Sequence, residues 1–127
     1  MNCRKIFNRS QALIAEDPYD ENNNDLQVRS IDVINTFIQT LYDVSNLYEV
    51  RVLKLPEPEY IEISDIDDNF PLCNDMAVAC IYYLASVLIN NENSELSDKL
   101  LREYKLIIND IMLKIPAEIE KISDFYN

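Results

Sequence analysis

Residues 57–75 hold seven acids and no base, and within them DIDDN at 65–69 invites comparison with a cation-binding loop. Calcium takes about six to eight oxygen ligands. An EF-hand loop supplies them from acids at its first, third and fifth positions, turns on a glycine at the sixth and closes with a glutamate at the twelfth. Counted from Asp65, the third and fifth positions are Asp67 and Asn69, but the sixth is Phe70 and the twelfth is Met76. Both diagnostic positions fail. The segment reads as an exposed acidic loop with Phe70 and Leu72 tucked under the helix that follows, and no metal is expected.

Nucleophilic chemistry finds no better footing. Cys3, Cys73 and Cys80 form no CxxC pair. Cys73 and Cys80 lie two helical turns apart, beside or within an apolar run, where a free cysteine acts as a small hydrophobe. Their odd number suits a reducing compartment. Ser10, Ser86 and Ser97 have no histidine anywhere in the chain to activate them and no lysine three residues downstream. Paired carboxylates are abundant, but nothing in their spacing holds two of them in one cleft with separated pKa values. Of the eight tyrosines, Tyr42, Tyr82, Tyr83 and Tyr104 fall on apolar stripes, which predicts core rings with hydroxyls at the rim. The chain has no glycine, so phosphate-binding loops, dinucleotide fingerprints and nucleophile elbows in their usual forms are excluded. The expectation is a protein with no catalytic residue and no cofactor.

Charge narrows the partners. With 23 acids against 11 bases the net charge is −12, the opposite of what a phosphate-backbone binder carries. Such a surface keeps a protein soluble, faces a basic partner, or lines a passage through which DNA slides without sticking. The basic residues 1–9 are followed by an amphipathic stretch and not by a continuous apolar core, so no signal peptide or membrane segment is predicted, and the protein is expected to stay in the cytoplasm of the cell that makes it. At 127 residues the chain is expected to form a single helical domain, 1–127.

The elements that place these residues are helical. Residues 76–89, MAVACIYYLASVLI, are thirteen apolar residues and one serine. A helix of that length rises about 21 Å, too short for a bilayer, so it is predicted to be a central helix enclosed by protein on all sides. Asn74 is predicted as its N-cap and Asp75 as its first-turn acid, with Asn90, Asn91 and Asn93 as a polar stop that tolerates the left-handed conformation. An aspartate at Val87 is then predicted to cost several kcal/mol. The pattern also predicts a first helix over 3–16, capped by Asn2, with Ile6, Phe7, Ala12, Leu13 and Ile14 on one face. A loop follows over 16–25. A second helix runs from near Leu26 to Asp43 and on toward Tyr48, its stripe formed by Ile31, Ile34, Ile38, Leu41 and Ser45.

Alternation in YEVRVLK and YIEIS, on either side of Pro56 and Pro58, predicts a short hairpin or extended arm near 48–64. A last long helix over 94–115 is capped by Ser94 and carries Leu96, Leu100, Tyr104, Ile107, Ile111 and Ile115 in one stripe. Pro116 ends or kinks it. Residues 117–127 place Ile119, Ile122, Phe125 and Tyr126 at helical spacing, which predicts either a clasp on the core or a partner-binding C-terminal arm over 116–127. The fold class is mainly α: a small bundle of about four helices around a buried central helix.

Three stretches, KIFNRSQALIAED, RSIDVINTFIQTLYDVSN and DIDDNFPLCNDMAVACIYYLASVLINNENSELSDKLLREY, cover more than half the chain. In them the sequence resembles the small helical head-to-tail connector proteins, also called adaptor or head-completion proteins, of long-tailed bacteriophages and prophages. The resemblance implies a virion structural protein whose copies form an oligomeric ring beneath the portal and extend the channel for DNA, which passes without specific binding. The portal protein and neighbouring connector or tail proteins are the implied partners, and the head-tail junction is the implied location, after synthesis in the host cytoplasm. The implied partner surface is the acidic loop at Asp65, Asp67 and Asp68 and the tail at Ile119, Ile122, Phe125 and Tyr126, with the 48–64 arm as a second point of contact. Two other readings fit the same composition: an acidic decoy that inhibits a nucleic-acid-binding protein, and a chaperone for tail assembly.

Overall fold

The computed structural model describes residues 1–15 and 24–115. Of the loop expected at 16–25, residues 16–23 lie outside the described residues, as does the arm expected at 116–127, whereas Asn24 and Asp25 already belong to the second helix.

The protein is a small all-α bundle. Helix α1 spans Cys3–Leu13, and the Asn2 side chain caps it by accepting from the Lys5 backbone N–H. Its buried stripe is Cys3, Ile6, Phe7, Ser10, Gln11 and Ile14, whereas Ala12 and Leu13, expected on the inner face, are exposed. The three-and-four spacing explains the difference: a face set by Cys3, Ile6 and Phe7 carries on to positions 10, 11 and 14. Ser10 and Gln11 therefore enter the core although they are polar. Ser10 donates to the Phe7 carbonyl at 2.8 Å, as its side chain can without a tertiary partner.

Helix α2 spans Asn24–Leu47, and its buried residues Ser30, Ile34, Phe37, Ile38, Leu41 and Ser45 follow the same rule. The chain does not turn to strand after it. Residues Tyr48–Val52 form a π turn in which Tyr48 and Glu49, neighbours in sequence, are both buried. The alternation seen in YEVRV is overridden because the α2 stripe continues through Ser45 to Tyr48 and Glu49. The Leu53 and Leu55 N–H groups then bond the Tyr48 and Glu49 carbonyls. Lys54 ends the turn at φ 57°, and Ala15 ends α1 at φ 59°. Left-handed positions at helix ends are usually glycine; a chain without glycine accepts roughly 1 kcal/mol at each.

Residues 53–64 then run without regular structure, so the arm is extended and not a hairpin. It does not project. Asn46 bonds Glu57, the Tyr42 hydroxyl donates to the Pro58 carbonyl at 2.7 Å, and the Asn35 amide both donates to and accepts from the Ile63 backbone at 2.9 and 2.8 Å. Positions 46, 42 and 35 of α2 thus meet 57, 58 and 63, which lays the arm antiparallel along the helix.

Helix α3 spans Asn74–Ile89 and packs against α1, against α2 and against α4, which spans Ser94–Leu113. Its N-cap is Cys73, with Asn74 already helical, and Asn90 ends it in right-handed geometry. Asn93, not Ser94, caps α4 by accepting from Leu96 N–H at 3.1 Å. The tight turn makes α3 and α4 a helical hairpin, and Ser97 of α4 donates to the Ser86 carbonyl of α3 at 2.8 Å. Small residues at Ala85 and Ser86 permit that approach. Met76, Ala77, Cys80, Leu84 and Ala85 are fully buried, but α3 is not enclosed all round: Val78 is 38% exposed, and Tyr82, Tyr83 and Val87 are half-buried. The buried residues of all four helices form one cluster that also takes in Ile63, Ile66, Phe70 and Leu72 from the connecting segment. Among the described residues no helix is long and apolar enough to cross a membrane.

Candidate interaction surface

The acidic loop is held in one conformation by its own acids. The Asp68 carboxylate accepts from the backbone N–H groups of Ser64 and Asp65 at 2.9 and 3.1 Å, and Asp65 accepts from Asp67 N–H at 2.8 Å. These donors stabilise the charged form, so the Asp68 carboxyl titrates below its ordinary value of 3.8. The loop is then strapped to the start of the chain. Cys3 N–H bonds the Asp68 carbonyl, Phe70 N–H bonds the Met1 carbonyl, and Asn2 pairs with Asn69 as an antiparallel bridge. Arg4 pairs with both oxygens of the Asp67 carboxylate, which is held below the usual carboxylate range chiefly by that bond. Asp65 and Asp67 nevertheless remain exposed to solvent. Phe70 and Leu72 are buried, as the sequence suggested.

The oxygens of these acids are largely engaged, within the loop or by Arg4. Asp67 spends its oxygens on Arg4, and Asp68 spends its own on backbone donors. Among the described residues no group of three potential metal ligands comes together. In the sequence Arg4 is only one of three bases near the chain start, with Lys5 and Arg9, and nothing there signals its partner 63 positions away.

A second polar node joins the π turn to the start of α3. The Glu49 carboxylate is buried, with the Ser45 hydroxyl donating to it and the Cys73 backbone N–H facing it. The Tyr48 hydroxyl donates to Asp75 at 2.6 Å, and that bond, with burial, pushes the phenol up to about 12. Burial raises the Glu49 carboxyl above its ordinary value of 4.5 despite these two groups. The folded chain therefore holds this proton more tightly than the unfolded chain. Its contribution to stability falls as pH rises from about 4.5 through the raised folded value. Glu49→Gln is expected to flatten the decline in urea midpoint as pH rises above about 4.5; an unchanged slope would show that Glu49 titrates as in the unfolded chain.

The remaining reactive groups are quiet. Burial pushes the Cys3 thiol up to about 12, and Cys80, wholly buried, is raised well above the ordinary thiol value. Cys73, half-buried, is raised by desolvation although backbone N–H groups of α3 face it. None is set up as a thiolate at neutral pH. The Gln11 amide is buried with neither of its polar atoms hydrogen-bonded, a cost of about 1–3 kcal/mol for each.

Two hollows flank the exposed strip of α3, the first largely apolar and the second half lined by charged residues. One, of about 320 Å³, is lined by Arg9, Ala12 and Leu13 of α1 and by Val78, Ile81 and Tyr82. The other, of about 180 Å³, is lined by Asp75 and Val78 and by Ile107, Asp110, Ile111 and Lys114. Sequence reasoning missed this strip because residues 76–89 contain no charged residue to mark an outer face. Of the seven residues implied as a partner surface, the structure brings Asp65, Asp67 and Asp68 together on one turn, while Ile119, Ile122, Phe125 and Tyr126 lie outside the described residues. Comparison with protein-family models, with curated proteins and with solved structures finds no match to this chain.

Proposed function

We propose that this chain is a non-enzymatic structural protein of a long-tailed phage or prophage, joining the portal to the tail as one of the copies of an oligomeric ring around the DNA channel. The observation that carries the reading is the pairing of net charge −12 with an acidic turn fixed on the outside of the bundle. Carboxylates held at a surface in one orientation repel a phosphate backbone without binding it, which is what a channel wall or rim requires. The resemblance of three sequence stretches to connector proteins supplies the context. Since the 48–64 arm is bonded along α2, the reading places the apolar partner contact on the tail, at Ile119, Ile122, Phe125 and Tyr126, and the acidic contact on Asp65, Asp67 and Asp68.

The test is mass spectrometry of proteins that co-purify with a tagged copy, together with a search for this chain in finished particles. Portal or tail proteins as partners, with the chain present in particles, is the expected result. A basic nucleic-acid enzyme as the partner, held in a complex that dissociates steeply with salt, and particles lacking the chain, would replace this reading with an acidic decoy.

A further inference from the structure

Helix α4 buries Ser97, Leu100 and Ile111, packs on α3 and turns its opposite face outward. That face is centred on Leu106 and Leu113, which are 57% and 72% exposed and stand about two turns apart, one above the other. Asp98, Arg102, Leu106, Asp110 and Lys114 recur at every fourth position, all exposed, and form one ridge along the helix with Lys114 at its C-cap. Among the described residues none of the four charges has an ion-pair partner. In order, the ridge reads minus, plus, apolar, minus, plus. Turned end for end it reads plus, minus, apolar, plus, minus, so the ridge is its own complement.

We propose that this face of α4 binds a second copy of the chain as a two-fold dimer, with Leu106 on the axis against its counterpart. Arg102 then faces the second copy's Asp110, and Lys114 faces the second copy's Asp98. A two-fold axis makes each pair occur twice. Ridges of four-residue spacing interdigitate when two helices cross at about −50°, so the straight helix needs no distortion. In the same register Lys99 lies opposite the second copy's Leu113, which its methylene stem can cover, and Glu103 lies opposite Asn109, so no like charges meet. Charge also selects the occupant. A chain of net charge −12 repels its own copies at most faces, but on α4 the acids Glu95, Asp98, Glu103 and Asp110 are matched by the bases Lys99, Arg102, Lys105 and Lys114. One helix from each copy makes a small interface, so the dissociation constant is expected on the order of 0.1 mM.

This contact goes beyond the connector reading: a two-fold pair closes on itself, whereas a ring repeats a head-to-tail contact, and α4 is a face that the reading leaves free. It is measured on the isolated full-length chain, whether or not portal proteins bind. The experiment is sedimentation equilibrium from about 10 μM to about 1 mM, with circular dichroism of each variant to confirm helix content. A monomer–dimer equilibrium is expected. Leu106→Glu sets two carboxylates on the axis and is expected to weaken it at least about tenfold. Arg102→Asp or Asp110→Arg alone is expected to weaken it about three- to tenfold, because each breaks both symmetry-related pairs and opposes like charges. The double variant Arg102→Asp with Asp110→Arg exchanges the charges and is expected to return to within about twofold of the parent. A monomer over the whole range, a dimer indifferent to Leu106→Glu, a double variant as weak as the single ones, or assemblies larger than a dimer would each overturn the proposal.

Discussion

Phe37→Ala is expected to lower the unfolding free energy by about 3–5 kcal/mol, a large share of the roughly 5–15 kcal/mol that holds a domain of this size together. Phe37 is 1% exposed, and its ring meets three others: Phe70 at 6.1 Å, Tyr83 at 6.0 Å and Tyr104 at 6.1 Å between centroids. Those rings come from the loop that follows the acidic turn, from α3 and from α4, so one side chain of α2 joins four parts of the chain. Removing it leaves a cavity that four separate backbone segments would have to collapse around, which is why the upper half of the range applies. Phe37→Leu keeps much of the volume and forfeits the ring contacts, so a loss of about 1–2 kcal/mol is expected there. Urea titration followed by circular dichroism measures both. A Phe37→Ala loss below about 1 kcal/mol would mean that the four rings do not meet.

Leu84→Asp carries the other large effect. Leu84 is fully buried in α3, where a carboxylate has neither water nor a partner, and a loss of at least about 4 kcal/mol is expected, enough to leave a marginal domain unfolded. Val87, three residues on, looked equally central in the sequence. It is half-buried, so an aspartate there can reach solvent, and Val87→Asp is expected to cost less than about 2 kcal/mol. Melting curves of the two variants side by side test the orientation of α3 directly. Equal losses would place Val87 in the dry core and turn the helix away from the packing described here.

The contrast between these two positions shows how the sequence informs the fold. Periodic stripes were legible because a helix buries every third or fourth residue whatever its neighbours are, so α1, α2 and α4 could be located from Ile6, Ile34 and Leu100 and their repeats. In the run 76–89 that signal vanishes. Every position but Ser86 is apolar, and which side faces outward depends on where α1 and α4 lie, leaving Val78 exposed and Leu84 enclosed.

By itself the sequence determined the helical class, the long helices among the described residues, and the burial of Phe70 and Leu72. Each of these rests on local spacing. Tertiary packing alone sets Glu49, in the π turn that closes α2, beside Cys73, a residue 24 positions away. It also decided that the arm folds back along α2 through Asn35 and Tyr42, and that the acids at 65–68 are held through Arg4 and the Met1–Cys3 backbone. Hydrogen bonds between distant residues leave no periodic trace in the chain, since each needs only one donor and one acceptor, and polar residues able to serve are spread along its whole length.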